Sequence, residues 1–144
     1  MTFDEEFVID HPVDTVFSAM ADIGQRPRWV TPAQERTKIT DGPVGEGTKY
    51  HAVDKYPGRR AEFTQEITAY EPNRLLAESW GGPMAGTSET RFSDEDGSTR
   101  VRMQMEMNPA GLLGLLAPLM KSWASRAIGK DIAKLEELIA ADSA

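Results

Sequence analysis

From Pro118 to Ala141 apolar residues return at steps of three and four: Leu119, Met120, Trp123, Ala127, Ile128, Ile132, Leu135, Leu138 and Ile139. That is the period of one face of an α-helix, and the stripe is wide enough to be buried against something large. Lys121, Ser122, Arg126, Lys130, Lys134 and Glu137 fall on the other face, which suits water. At 1.5 Å per residue the segment is a rod of ~36 Å. A domain of this length has a radius of gyration of about 15 Å, so the rod crosses the whole molecule. A few loops cannot cover such a face. It needs a sheet.

The rest of the chain supplies one. Phe3, Glu5, Phe7, Val8 and Ile9 form an alternating opening strand. His11-Pro12 then starts a helix, with Pro12 at the first helical position and Asp14 in the first turn. Its apolar face is Val13, Val16, Phe17 and Met20, and a second short helical piece, Ile23 to Val30, contains Pro27. From Glu35 to Asn108 the period changes to two. Turn chemistry at Asp41–Gly47, Tyr56–Gly58, Glu71–Asn73, Gly81–Pro83 and Asp94–Gly97 divides this region into strands at 35–40, 48–55, 60–70, 74–80, 86–93 and 99–107. Short connections imply an antiparallel meander. The expected architecture is α+β: a curved seven-stranded antiparallel sheet around a long C-terminal helix, with two short helices between strands 1 and 2. It occupies one domain over residues 1–144.

Charge and composition narrow the function. Sixteen Lys and Arg against 23 Asp and Glu leave a formal charge of −7. Without a basic cluster, nucleic acid and anionic membrane surfaces are poor partners. Cysteine is absent, which removes disulfides, thiolate metal sites and a thiol nucleophile. The apolar run Ala110 to Met120 is too short to span a bilayer and contains Pro118, so stable membrane insertion is not expected. Met1 to Asp10 lacks the basic-then-apolar pattern of an export signal, and a cytoplasmic location is expected.

Several segments resemble the helix-grip superfamily that includes START domains, the birch-pollen-allergen type and the polyketide cyclase/dehydrase group (SRPBCC). They are Asp10-His-Pro-Val-Asp-Thr-Val-Phe17, Arg26-Pro-Arg-Trp29, Gly45-Glu-Gly-Thr48, Ile67-Thr-Ala-Tyr-Glu-Pro72, Gly97-Ser-Thr-Arg-Val101 and Ala133-Lys-Leu-Glu-Glu-Leu138. The resemblance spans essentially the whole chain. It rests on a helix start, turns and strand edges, and so speaks to fold more than to chemistry.

A curled sheet and a helix diverge somewhere, and the gap is usually lined by apolar side chains. Strand parity names its wall. One face of 99–107 is Val101, Met103, Met105 and Met107, and one face of 60–70 is Ala61, Phe63, Gln65, Ile67 and Ala69. Phe92 sets the inner face of 86–93 and brings Ser88 and Thr90 with it. Tyr50 and Ala52 are the inner pair of 48–55. Both parities fit 74–80: Leu75, Ala77 and Ser79, or Leu76, Glu78 and Trp80. Glu62, Glu66, Glu78 and Glu89 read as a solvated outer face, and Asp54 as a frayed strand end. Met is flexible and fits irregular pockets as well as cores. The candidate ligand-binding set is therefore Trp29, Tyr50, Phe63, Gln65, Ser88, Thr90, Met103, Met105, Leu116, Met120 and Trp123. The run Ala110 to Ala117, with Gly111 and Gly114, reads as a short closing helix or as a lid.

Catalysis finds little support. His11 and His51 are the only histidines, and no Ser-His-acid order or phosphate-binding glycine loop is present. No catalytic residue, metal or cofactor is expected. The expected partner is a small hydrophobic molecule, polyketide, lipid or isoprenoid-like, held by a monomer or weak homodimer acting as carrier or sensor. The resemblance also admits a polyketide cyclase/dehydrase-type enzyme that works by orienting its substrate, with weak acid–base help from Tyr50, Gln65, Ser88 and Thr90. A third possibility is a protein contact through the Leu-rich segment 112–119.

Overall fold

The computed structural model describes residues 1–109 and 111–142. Ala110, at the head of the Leu-rich run, and Ser143 and Ala144 lie outside the described residues. Strand β1 (Thr2–Ile9) leads into helix α1 (Val13–Ala21) and a 3-10 helix, Ile23–Arg28. Six strands follow: β2 (Ala33–Lys38), β3 (Lys49–Tyr56), β4 (Arg59–Glu71), β5 (Leu75–Trp80), β6 (Gly86–Glu95) and β7 (Ser98–Met107). A second 3-10 helix, Gly111–Leu116, then runs into helix α2 (Ala117–Asp142). The sheet order is β1-β7-β6-β5-β4-β3-β2 and every pairing is antiparallel. The chain is the expected helix-grip fold, a curved seven-stranded sheet around its C-terminal helix.

Local chemistry explains the boundaries. Pro12 is extended and caps α1 from outside, so the helix begins one residue later than the sequence suggested. The second helical piece is 3-10 throughout, with Pro27 inside it. Pro118 starts α2 rather than breaking it, because in the first turn its missing N–H has no partner to lose. The β6–β7 turn places Asp96 and Gly97 at φ 54° and 91°, the left-handed pair of a tight hairpin.

The sheet resolves the parities left open. Leu76, Glu78 and Trp80 face inward on β5, opposite Thr90, Ser88 and Gly86 of β6. On β3, Tyr50, Ala52 and Asp54 share the inner face, and β4 carries Ala61, Phe63, Gln65 and Ile67 inward until a register shift between Ile67 and Ala69. After that shift Tyr70 turns toward the core.

One part of the helix reading is corrected. The apolar stripe of α2 is buried only in its C-terminal half, at Ile132, Leu135 and Ile139. Leu119 is 72% exposed, and Trp123 also meets solvent. The buried half packs against Ile9, Val16, Phe17, Phe92 and Val101. Phe17 meets Tyr70 and Phe92 edge-on at 5.4 and 5.1 Å, the preferred geometry for aromatic rings. Toward the N-terminus of α2 the sheet curls away, and side chains no longer fill the space.

Candidate functional site

That divergence encloses a cavity of about 170 Å³. Its roof is Trp123, Ala124, Ala127, Ile128, Asp131 and Ile132 of α2. Two alanines facing the sheet leave room that larger side chains would fill. The floor is Met103, Met105 and Met107 of β7, Ser88 and Thr90 of β6, Glu78 and Trp80 of β5, Phe63 and Gln65 of β4, and Asp54 and Tyr56 of β3. Arg26 and Trp29 close one end from the first 3-10 helix and the turn that follows it.

Of the residues named from sequence, Trp29, Phe63, Gln65, Ser88, Thr90, Met103, Met105 and Trp123 line this cavity. Leu116 and Met120 line a second hollow of about 330 Å³, between α2, the β3–β4 turn and Pro83–Met84. Tyr56, Met107, Trp123 and Ala124 border both. Tyr56 and Trp123 meet edge-on at 6.0 Å within this shared stretch of wall. Leu116 and Leu119, at the outer hollow, are largely exposed. Tyr50 lines neither hollow. Its ring is buried in the core beside the Phe17 cluster, and burial pushes its phenol above the usual range.

The polar side of the wall is the main correction to the sequence reading. Glu78 is not on the solvated face: it is 3% exposed. Arg26 donates to both of its oxygens, Nη1 to Oε1 at 2.6 Å and Nη2 to Oε2 at 2.8 Å. Gln65 Nε2 donates to the same Oε1 at 2.5 Å. Such a forked guanidinium–carboxylate pair combines charge with fixed geometry. Asp54 is no frayed end either. It is buried, with Arg36 Nη1 2.7 Å from Oδ1, although the angle makes this a charge pairing rather than a hydrogen bond. Tyr56 donates to Asp54 Oδ2 at 3.1 Å, and burial followed by the Asp54 charge holds its phenol well above the ordinary range.

Each guanidinium also covers an aromatic ring of the cavity. Arg26 stands 6.0 Å from the Trp29 ring centre and Arg36 5.5 Å from that of Phe63. The contact favours a cation held out of water. At the far end Asp131 of α2 accepts from the backbone N–H of Thr31 at 3.0 Å and from the Thr31 hydroxyl. Burial raises its carboxyl above the usual aspartate value.

Sequence reasoning missed Arg26, Arg36, Asp54, Tyr56, Glu78 and Asp131. Two of them left a signal. Glu78 alternates with Leu76 and Trp80, and Asp131 sits four residues from both Ala127 and Leu135. Each carboxylate therefore lies on an apolar parity, where a charge must find a partner.

The chain belongs to the polyketide cyclase / dehydrase and lipid transport family, whose model matches residues 1–140. Solved structures share the fold at low identity. TTHA0849 from Thermus thermophilus is 17% identical with a TM-score of 0.82, each chain covered over 100%. The Zhui aromatase/cyclase from Streptomyces sp. R1128 is 13% identical with a TM-score of 0.75, covering 96% of this chain and 93% of that one. Ara h 8.0201 is 17% identical with a TM-score of 0.74 over 98% of both chains. No curated protein matches the chain in sequence. No helix among the described residues is long and apolar enough to cross a membrane.

Proposed function

We propose that this protein binds a small hydrophobic molecule between the sheet and the N-terminal half of α2, as a carrier or sensor. The observation that carries the reading is the cavity itself. It is walled by flexible methionines and aromatic rings, its arginines are paired with carboxylates of the same wall, and it shares Tyr56, Met107, Trp123 and Ala124 with an apolar outer hollow. Concave, mostly apolar sites with a few placed polar groups are the usual form of small-molecule sites. Native mass spectrometry of gently purified protein and displacement of a fluorescent lipid test it. Saturable binding of an apolar probe is expected, and failure of every probe at high micromolar concentration would end the reading.

A second reading, a cyclase or dehydrase acting on a substrate held in a productive bend, draws on the titratable wall. The wall groups limit it. Glu78 and Asp54 are committed to arginines, and the Tyr56 phenol is a weaker acid than usual. Asp131 is the carboxylate without a cationic partner among the described residues. If the chain is an enzyme, Asp131 is its base, with Gln65, Ser88 and Thr90 as orienting groups. Turnover of a polyketone that survives Asp131→Asn unchanged would remove that assignment.

A further inference from the structure

The fold gathers at one end of the molecule what the sequence scatters. The β3–β4 hairpin tip (55–60), the β5–β6 connection (81–85) and the segment 111–126 meet around the outer hollow, where Tyr56, Pro57 and Arg59 lie with Met84, Leu119 and Trp123. These stretches carry Lys55, Arg59, Arg60, Lys121 and Arg126 and not one acidic residue, in a chain of net charge −7. All five cations are exposed, and among the described residues only Arg60 is ion-paired, to Glu62 at 3.4 Å. The acidic residues next along the flanking strands, Asp4, Glu62 and Glu106, are on the outer face of the sheet. Composition made anionic membranes poor partners because no basic cluster shows along the chain; the fold assembles one.

The same end is apolar at its tip. Leu115, Leu116, Leu119 and Trp123 are four of the seven large apolar side chains exposed among the described residues, and the other three, Val8, Ile39 and Val44, are on β1 and the β2–β3 connection. Leu119, Trp123 and Arg126 follow at steps of four and three, so they share one outward face of α2. Leucines at the tip, an indole behind them and cations around the rim suit a lipid headgroup layer. The leucines reach the acyl boundary, the indole stays at the interface and the cations meet phosphates. A second copy would set these cations against their own kind, which disfavours a dimer through this face. Screening over about 8 Å at physiological ionic strength lets a surface that approaches this end meet its cations and not the acidic remainder of the chain.

We infer that this end docks on the surface of an anionic lipid bilayer, with Leu115, Leu116, Leu119 and Trp123 in the headgroup layer and Arg59, Lys121 and Arg126 among the lipid phosphates. The contact is peripheral, and it does not depend on the inner cavity being occupied.

Flotation of the intact protein with vesicles tests it, using phosphatidylcholine alone and phosphatidylcholine mixed with phosphatidylglycerol. At physiological salt the mixed vesicles should bind it about tenfold tighter or more, with a blue shift of Trp emission. Raising the salt to about 1 M, where screening shortens to about 3 Å, should remove that preference. A cation near an anionic surface is worth roughly a fivefold gain in affinity, so Arg59→Gln with Arg126→Gln should weaken binding about 25-fold. Leu119→Ser should weaken it about tenfold, while Arg91→Gln, an exposed cation on the outer face of the sheet, should leave it unchanged. All the altered positions are exposed, so the urea midpoint should hold in every variant. Equal binding to the two vesicle types, or an equal loss in Arg91→Gln, overturns the inference. So does binding to neither, whether or not the chain forms a dimer that Leu119→Ser dissolves. None of these outcomes bears on the inner cavity, which the displacement titration tests separately.

Discussion

The two ends of the interface between α2 and the sheet are built from one continuous stripe and come out opposite. At the C-terminal end Ile132, Leu135 and Ile139 meet Phe17, Phe92 and Val101 with the aromatic rings edge-on, and the space is filled. At the N-terminal end Ala124 and Ala127 face Met103, Met105 and Met107 across a hollow, and the wall around it holds two ion pairs. The difference lies in the side chains opposite the helix. Branched and aromatic residues in fixed rotamers interlock at one end, while small residues on the helix and flexible ones on the sheet leave a void at the other. One end holds the fold together and the other holds space open.

The largest expected effect breaks the polar end. Glu78→Gln strands the Arg26 guanidinium, and removing one member of a buried pair costs about 3–5 kcal/mol. Urea denaturation should show a lowered midpoint with a similar slope. At the filled end Leu135→Ala should cost about 2–5 kcal/mol by the same measurement, whereas Leu119→Ala, on the exposed part of the stripe, should stay within about 0.5 kcal/mol.

Adding volume reverses the comparison. Ala21→Leu forces extra carbons among Val16, Phe17 and Ile23 and should cost about 1–3 kcal/mol. Ala127→Leu grows into the hollow, should cost under about 1 kcal/mol, and should abolish probe binding.

The smallest effect is a pH dependence. Burial raises the Asp131 carboxyl above its ordinary 3.8, so the folded chain holds that proton more tightly than the unfolded chain does. The stabilising contribution is complete below the ordinary value and is lost as pH rises through the raised one. Stability of the wild type relative to Asp131→Asn, which keeps an acceptor for Thr31, should therefore climb as pH falls from 7 to below 4. Asp4 and Glu95 are held low by Arg102 and Arg100 and act in the opposite sense. They are common to both proteins and cancel in the difference.

The fold was legible because it depends on period. Steps of three and four on α2, alternation on the strands and turn residues between them each fix an element without reference to its neighbours. The inner faces of β6 and β7 were legible for the same reason. The polar wall was not. Glu78 and Asp54 look like surface charges until Arg26 and Arg36 are brought beside them from 52 and 18 residues away, and no local pattern encodes that meeting. Nor does the stripe of α2 reveal that its first half is uncovered, since cover depends on the curl of the sheet.

The seven methionines allow the most direct test of the claim that the N-terminal half of α2 roofs a ligand-holding hollow. With methyl-labelled methionine, a titration of 2-naphthol followed by NMR should shift Met20, Met103 and Met105, which line the inner cavity, and leave Met1 in place. Shifts confined to Met84 and Met120 of the outer hollow, or none at saturating probe, would contradict it.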